Sequence, residues 1–421
     1  MQMWAAPLAD RPVRARVSLP GSKSQTNRLL LLAALADGPS RLVAPLRARD
    51  TLLMADALRS LGVGIADADR DWLVTPAPLH GGSVDTGLAG TVMRFAPPLA
   101  ALADGPVTFD GDAYARERPM ATLIDGLRQA GVDVDDGGRG HLPFTVHGHG
   151  TAPGGSVHID ASASSQFVSG LLLAGARYEK GIEIVHTGAG PVPSQPHIDM
   201  TLDLLRAVGV DAECVGVSAW RVAPGRIAGG TRVVEPDLSN AAPFLAAGVV
   251  TGGTVRIAGW PAATTQAGDA LRGLLTEMGA IVDLDPDGLT VSGTGSISGL
   301  VADLRDVGEL TPVLSAIAAL ADTASSFYGI GHLRGHETDR LAALCTELSR
   351  LGGEIAEQSD GLTITPTRLH GNIWHSYADH RMATAGAVLG LIVPGIEIDD
   401  IGATTKTLPD FPGMWSALLG S

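Results

Sequence analysis

Lysine is almost missing from this chain. Of thirty Lys and Arg residues in 421, three are lysine: Lys23, Lys180 and Lys406. Cysteine is scarcer still. Cys214 and Cys345 lie far apart with no CxxC pattern, which excludes a disulfide framework and fits a reducing compartment. Cys345 closes the apolar run Leu341-Ala342-Ala343-Leu344-Cys345 and is expected in the core. Aromatic residues make up 4% of the chain, so its elements must pack through small side chains. No apolar run reaches the roughly 20 residues that span a bilayer. Residues 1–10 lack the basic-then-apolar pattern of a secretory signal. A formal charge of -15 and a pI near 5.1 argue against nucleic acid or an anionic membrane as partner. No Rossmann glycine fingerprint and no GxxxxGK[ST] is present, so a nucleotide is not indicated. His332 and His336 are four apart but outside an HExxH pattern, and no third ligand marks a zinc site.

What is present in quantity is repetition. With 45% hydrophobic content, the chain is long enough for two or three domains. A helical stretch ending in glycine and followed by a strand recurs around Gly62, Gly131, Gly209, Gly279 and Gly352. Glycine just past a helix is the usual left-handed stop. Interleaved with it is a polar phrase opening a small-residue apolar helix. Its copies begin near Asn27, Thr91, Ser164, Ser239, Leu310 and Asp379. These greasier helices are expected to be buried, with the first type as an amphipathic outer layer. The period suits an α/β unit of roughly βαβαββ, six times over. Grouped by threes, residues 1–20 plus 237–421 form one domain and 21–236 the other, with a double-crossover hinge near 20 and 236. Six helix N-termini would then converge on a cleft and attract anions through the backbone alone.

The rarity of lysine gives weight to Pro20-Gly21-Ser22-Lys23-Ser24-Gln25-Thr26-Asn27-Arg28, a loop feeding a helix start. A lysine kept where arginine is the habit points to a compact, desolvatable ammonium. The alternative is a capped helix start with an incidental solvent lysine. Arg28, Arg94 and Arg381 open three of the buried helices, while Arg118 and Arg340 lie in polar phrases. Each is equally readable as half of an internal ion pair. Taken with Lys23 and Lys406, they suit phosphate and carboxylate recognition. Gly90 would allow close backbone approach to a ligand at a helix start. Glu309 and the pair His336-Glu337 are proton-transfer candidates, Glu309 being also a plausible dipole partner for the helix after it.

Six motifs occur in one order: Pro20 to Ser24, Ala89 to Arg94, Ser164-Ser165-Gln166-Phe167, His336 to Arg340, Asp379-His380-Arg381-Met382-Ala383 and Lys406 to Phe411. The series resembles the 5-enolpyruvylshikimate-3-phosphate (EPSP) synthase family of enolpyruvyl transferases, from about residue 4 to 415. The resemblance implies two similar domains, each of three βαβαββ units, with buried parallel helices surrounded by sheets. It implies transfer of the enolpyruvyl group of phosphoenolpyruvate to the 5-hydroxyl of shikimate 3-phosphate, on the route to chorismate and the aromatic amino acids. It implies further that neither a metal nor an organic cofactor takes part. By the same resemblance, Lys23, Ser24, Arg28, Ser164, Ser165, Gln166, Ser194, Glu309 and His336 hold shikimate 3-phosphate. Lys23, Gly90, Arg118, Gln166, Arg340, Arg381 and Lys406 hold phosphoenolpyruvate. Glu309, Glu337, Lys23 and His380 form the catalytic set. The chain departs from commoner family residues at Leu88, Glu309, His332 and His336. A cytoplasmic monomer acting on small molecules, without nucleic acid or membrane, is expected.

Two other readings compete. The sister transferase acting on UDP-N-acetylglucosamine carries a cysteine in a mobile loop, where this chain has Ala115-Arg116-Glu117-Arg118-Pro119. A silent relative that only binds shikimate 3-phosphate would be free to lose Lys23, Glu309 or Glu337, and all three are present.

Overall fold

The five glycine stops behave as local chemistry requires. A computed structural model describes residues 3–420. Among these residues are twelve α-helices. The first six are α1 (Lys23–Ala34), α2 (Arg49–Ser60), α3 (Gly90–Ala100), α4 (Ala121–Gln129), α5 (Ser165–Gly175) and α6 (Gln195–Ala207). The rest are α7 (Ala242–Thr251), α8 (Leu271–Glu277), α9 (Thr311–Ala319), α10 (Arg340–Arg350), α11 (His380–Gly390) and α12 (Phe411–Gly420). Two residues past α2, α4, α6, α8 and α10, the glycines adopt φ of 104°, 81°, 85°, 93° and 86°. Each time a pair of backbone bonds closes the turn, as in Gly62 N–H to Arg59 O and Val63 N–H to Leu58 O. Orphaned helix carbonyls are thereby satisfied, and the chain is aimed back as a strand.

Two compact units result, Met1–Pro20 with Glu235–Ser421, and Gly21–Val234. Each has its own apolar core. In the Gly21–Val234 unit, strand His80–Asp85 runs parallel to Asp104–Asp110, and Phe144–His149 then Asp133–Asp135 follow antiparallel. With α3 and α4 this is one βαβαββ repeat. Gly155–Ile159, Ile182–His186, Ala219–Val222 and Ala212–Cys214 repeat the order around α5 and α6. The third repeat is completed from far along the chain, where Gly230–Val233 pairs parallel to Ser40–Val43.

In the other unit, Val301–Asp303, Ser325–Tyr328, Gly361–Thr365 and Glu354–Gln358 form the repeat around α9 and α10. The remaining two sheets borrow N-terminal strands. Arg14–Val17 pairs parallel to Thr254–Ala258, and Trp4–Ala5 pairs antiparallel to Glu397–Ile398.

The odd-numbered helices are the buried ones. Every residue of α3 is buried, including Arg94, Pro97 and Pro98. Close approach there depends on a missing side chain: a Cβ on Gly170 of α5 would run into the Arg94 carbonyl. Pro98 stands four residues after Arg94 and has no N–H to offer that carbonyl. Cys345 corrects one expectation. It is half-buried, on the edge of the α10 face whose core residues are Leu341, Leu344 and Leu348.

Candidate functional site

Most of the buried helices open on or just after polar residues, and most of the candidate residues lie near those openings. In the Gly21–Val234 unit, Ser22 caps α1 by accepting from the Gln25 N–H at 3.4 Å. Lys23 is the first helical residue, and its Nζ lies 3.7 Å from Asp50 Oδ2. One turn on, Arg28 is 2% exposed. It donates to Thr201 Oγ1 at 2.7 Å, His197 O at 2.9 Å, Ser24 O at 3.0 Å and Ser169 Oγ at 3.3 Å. Its guanidinium lies 5.0 Å over the Phe95 ring. All of these partners are neutral, and no carboxylate among the described residues pairs with it. Burial pushes the Arg28 guanidinium down to about 9, and it stays charged at neutral pH. Residues from α1, α3, α5 and α6 thus meet around one cation. Asn27 adds a further tie, donating to Thr91 Oγ1 at 2.7 Å.

Gly90 opens α3 beneath two more guanidinium groups. A Cβ there would lie 2.9 Å from Arg94 Nη1 and 3.1 Å from Arg118 Nη2. The glycine therefore makes room first for the arginine heads. Arg118 is 8% exposed, donates to Leu88 O at 3.3 Å, and has a buried Nε with no partner. Ser164 caps α5 through the Gln166 N–H at 3.2 Å, and Gln166 Oε1 is buried with no partner. Ser194 stands just before α6 in a left-handed conformation, φ 56°, which is uncommon for a non-glycine residue, and its side chain makes no capping bond to the helix.

In the other unit the cations already face carboxylates. Arg340 is 2% exposed and donates to both oxygens of Asp379, at 2.7 and 3.2 Å, and to Glu337 at 3.1 Å. Burial opposes its charge, but Asp379 and Glu337 outweigh it and raise its pKa. Lys406 is paired with the other oxygen of Glu337. Asp379 also caps α11, accepting from the Arg381 N–H at 2.8 Å. Arg381 donates to Ser239 O at 3.3 Å, and burial lowers its pKa against the pull of Glu309. Ser239 Oγ in turn donates to Glu309 Oε1 at 3.1 Å. Glu309 lies on a short turn, Gly308–Leu310, that leads into α9. His332 and His336 stack edge to face, with ring centroids 5.6 Å apart. Burial lowers the His332 pKa, with Glu309 opposing. His336 reaches Arg340 through Nδ1 at 3.2 Å, and His380 is 3% exposed beside Asp379.

Within each unit the candidate residues therefore lie at helix starts or, as with Arg118, His336 and Lys406, at the ends of short 3-10 turns. Sequence reasoning did not single out Ser169 or Thr201, and it marked Ser239 only as the polar opening of a buried helix. Isolated small polar residues at otherwise apolar helices carry no spacing signal.

A family model described as EPSP synthase (3-phosphoshikimate 1-carboxyvinyltransferase) matches residues 9–415. A curated relative from Kocuria rhizophila, called 3-phosphoshikimate 1-carboxyvinyltransferase, is 54% identical over 431 aligned residues, covering 100% of this chain and 97% of its own. An EPSP synthase structure from Acinetobacter baumannii superposes with a TM-score of 0.82 at 23% identity, over 99% of this chain and 98% of that one. The enolpyruvyl transferase NikO from Streptomyces tendae gives 0.77 at 18% identity, over 98% and 96%. The two structural likenesses establish the fold.

Proposed function

The chain belongs to the EPSP synthase family, and we propose that it transfers the enolpyruvyl group of phosphoenolpyruvate to the 5-hydroxyl of shikimate 3-phosphate, releasing phosphate. The observation that carries this reading is the 54% identity to a curated 3-phosphoshikimate 1-carboxyvinyltransferase across the full chain. The acid–base candidates Lys23, Glu309 and Glu337 are all present.

In the proposed sequence, Glu337 and Lys23 deliver a proton to the C3 methylene of phosphoenolpyruvate, which leaves C2 cationic. Glu309 takes the proton of the 5-hydroxyl, and the oxygen bonds to C2. In the second step the new methyl group returns a proton, the C2–O bond to phosphate breaks, and phosphate leaves protonated. An acid and a base that exchange roles are sufficient.

The neighbours of these groups support their roles. Glu337 accepts from both Lys406 and Arg340, cations placed to stabilise its carboxylate once the proton has been given up. Ser239 orients Glu309 by donating to one of its oxygens. Arg28, with Ser24, Ser164, Ser165, Gln166, Ser194 and His336, binds shikimate 3-phosphate. Gly90, Arg118, Gln166, Arg340, Arg381 and Lys406 bind phosphoenolpyruvate, and His380 assists from the start of α11. Fixed positive groups matter most where charge builds on bound anions.

The proposal includes a cytoplasmic monomer divided into two domains near residues 20 and 236, and an acidic chain of formal charge -15 suits small-molecule work over nucleic acid or membrane. No described helix is long and apolar enough to cross a membrane. The test is phosphate release with both substrates, each omitted in turn. Release that needs only phosphoenolpyruvate, or that requires UDP-N-acetylglucosamine as acceptor, would overturn the reading.

A further inference from the structure

His186 belongs to none of the six motifs, yet it is 7% exposed and has both ring nitrogens engaged. It ends the strand Ile182–His186, where its backbone N–H is held by Ser218 O at 2.9 Å. Ring Nδ1 lies 3.0 Å from the Ala161 backbone nitrogen, and Nε2 lies 2.8 Å from the Gly190 carbonyl. A backbone N–H donates and a carbonyl accepts, so the ring is neutral with its proton on Nε2.

The two contacts lie at the roots of two binding segments. The Ala161 carbonyl accepts from the Ser164 N–H at 3.0 Å, and Ser164 caps α5. Gly190 belongs to the loop that delivers Ser194 in its left-handed conformation to the start of α6. A second feature shows how closely the segments are pressed together. A Cβ on Gly188 would lie 2.5 Å from both Asp160 Oδ1 and His186 Cε1, and closer still to Ser162 Oγ. Not even a methyl group fits between them.

We propose that His186 is a positioning residue, a latch that fixes the 161–166 turn against the 187–194 loop so that Ser164, Ser165, Gln166 and Ser194 together bind shikimate 3-phosphate. The proposal rests on the reading of those residues given above. Without the imidazole, the buried Ala161 N–H loses its acceptor, the Gly190 carbonyl at the surface loses its donor, and the separation of the two segments is no longer set.

The test compares wild type with His186→Ala, His186→Asn and Gly188→Ala. Phosphate release gives kcat and both KM values, calorimetry gives shikimate 3-phosphate affinity, and thermal unfolding gives Tm. His186→Ala and Gly188→Ala should weaken shikimate 3-phosphate about tenfold or more, the effect of losing one buried hydrogen bond or more. The KM for phosphoenolpyruvate and kcat should stay within about threefold, below the loss of a whole hydrogen bond. Asn restores an acceptor toward Ala161 and should recover part of the affinity. A lowered Tm with shikimate 3-phosphate affinity intact would reduce His186 to a structural residue and overturn the proposal. Should His186→Ala not fold, Gly188→Ala and His186→Asn decide it in the same way. Wild type that neither turns over nor binds shikimate 3-phosphate would overturn the functional reading, and with it the latch. Active wild type with unaffected variants would overturn the latch alone.

Discussion

Replacing Gly90 by alanine adds one methyl group at the start of α3, and the structure says where its cost falls. The methyl would lie 2.9 Å from Arg94 Nη1, and 3.1 and 3.2 Å from Arg118 Nη2 and Nη1. Non-bonded heavy atoms rest at roughly 3.5 Å, so these heads must retreat by about 0.3 to 0.6 Å. Both belong to flexible side chains, and the backbone at Gly90 is ordinary helix. Alanine is favoured over glycine within a helix by up to about 1 kcal/mol. Folding stability should therefore be unchanged or slightly higher.

Function should suffer instead. A charge-assisted contact to an anion is worth about 1.5–3 kcal/mol, and displacing its donor forfeits roughly the lower figure. That is about tenfold in affinity. Steady-state phosphate release should show the KM for phosphoenolpyruvate raised about tenfold, with the KM for shikimate 3-phosphate within about twofold. A folded Gly90→Ala variant with wild-type affinity for phosphoenolpyruvate would refute the reasoning. Equal rises in both KM values would show general loosening rather than displacement of Arg118.

Lys23→Arg should keep the fold and the partnership with Asp50 yet lose most turnover, because a guanidinium is too broad and too weakly acidic; near-normal kcat would sink the argument from lysine scarcity. Glu309→Gln should cut kcat by roughly a hundred- to ten-thousand-fold while calorimetry shows shikimate 3-phosphate still bound. Lost binding with an unchanged saturated rate would make Glu309 a ligand contact only. Asp136 is held down to about 2, first by its hydrogen bond from Arg128, with burial opposing and the Gly140 and Gly138 N–H groups adding to the effect. A depressed carboxylate stabilises the fold above its ordinary value of 3.8 and loses that contribution as pH falls toward about 2. Asp136→Asn should therefore be less stable than wild type to urea at pH 7, and a gap that does not narrow as pH drops from 4 toward 2 would contradict the assignment.

The features legible in the sequence are those written in local chemistry. Five glycines needed φ near 90°, and their positions set the helix ends. The polar openings of the buried helices were visible because each interrupts an apolar run. Strand Gly230–Val233 was not, since its four residues are largely exposed and its partner Ser40–Val43 lies far back along the chain. His186 was missed for a related reason: both its partners are backbone groups, which no side-chain motif records.

Charge compensation was the least legible property, and it is the one that organises the candidate site. The five arginines Arg28, Arg94, Arg118, Arg340 and Arg381 read alike in the sequence, each either half of an ion pair or a receptor for an anion. In the unit containing residues 235–421, Arg340 and Lys406 share Glu337, and Asp379 takes the other side of Arg340. Those charges are neutralised before any substrate arrives, so a bound anion must compete with carboxylates already in place. In the Gly21–Val234 unit, Arg28 is held by hydroxyls and carbonyls, and Arg118 by one carbonyl, with no carboxylate on either among the described residues. Neutral acceptors satisfy hydrogen bonds without cancelling charge, and a buried charge left uncancelled is costly. On the proposed assignment, an incoming phosphate would remove that cost for Arg28 directly, while in the other unit it would also have to displace or share a carboxylate. Glu337 is the carboxylate most exposed to that competition, since both its oxygens face cations assigned to phosphoenolpyruvate. Its release from Lys406 or Arg340 when substrate binds is what would free it to carry a proton.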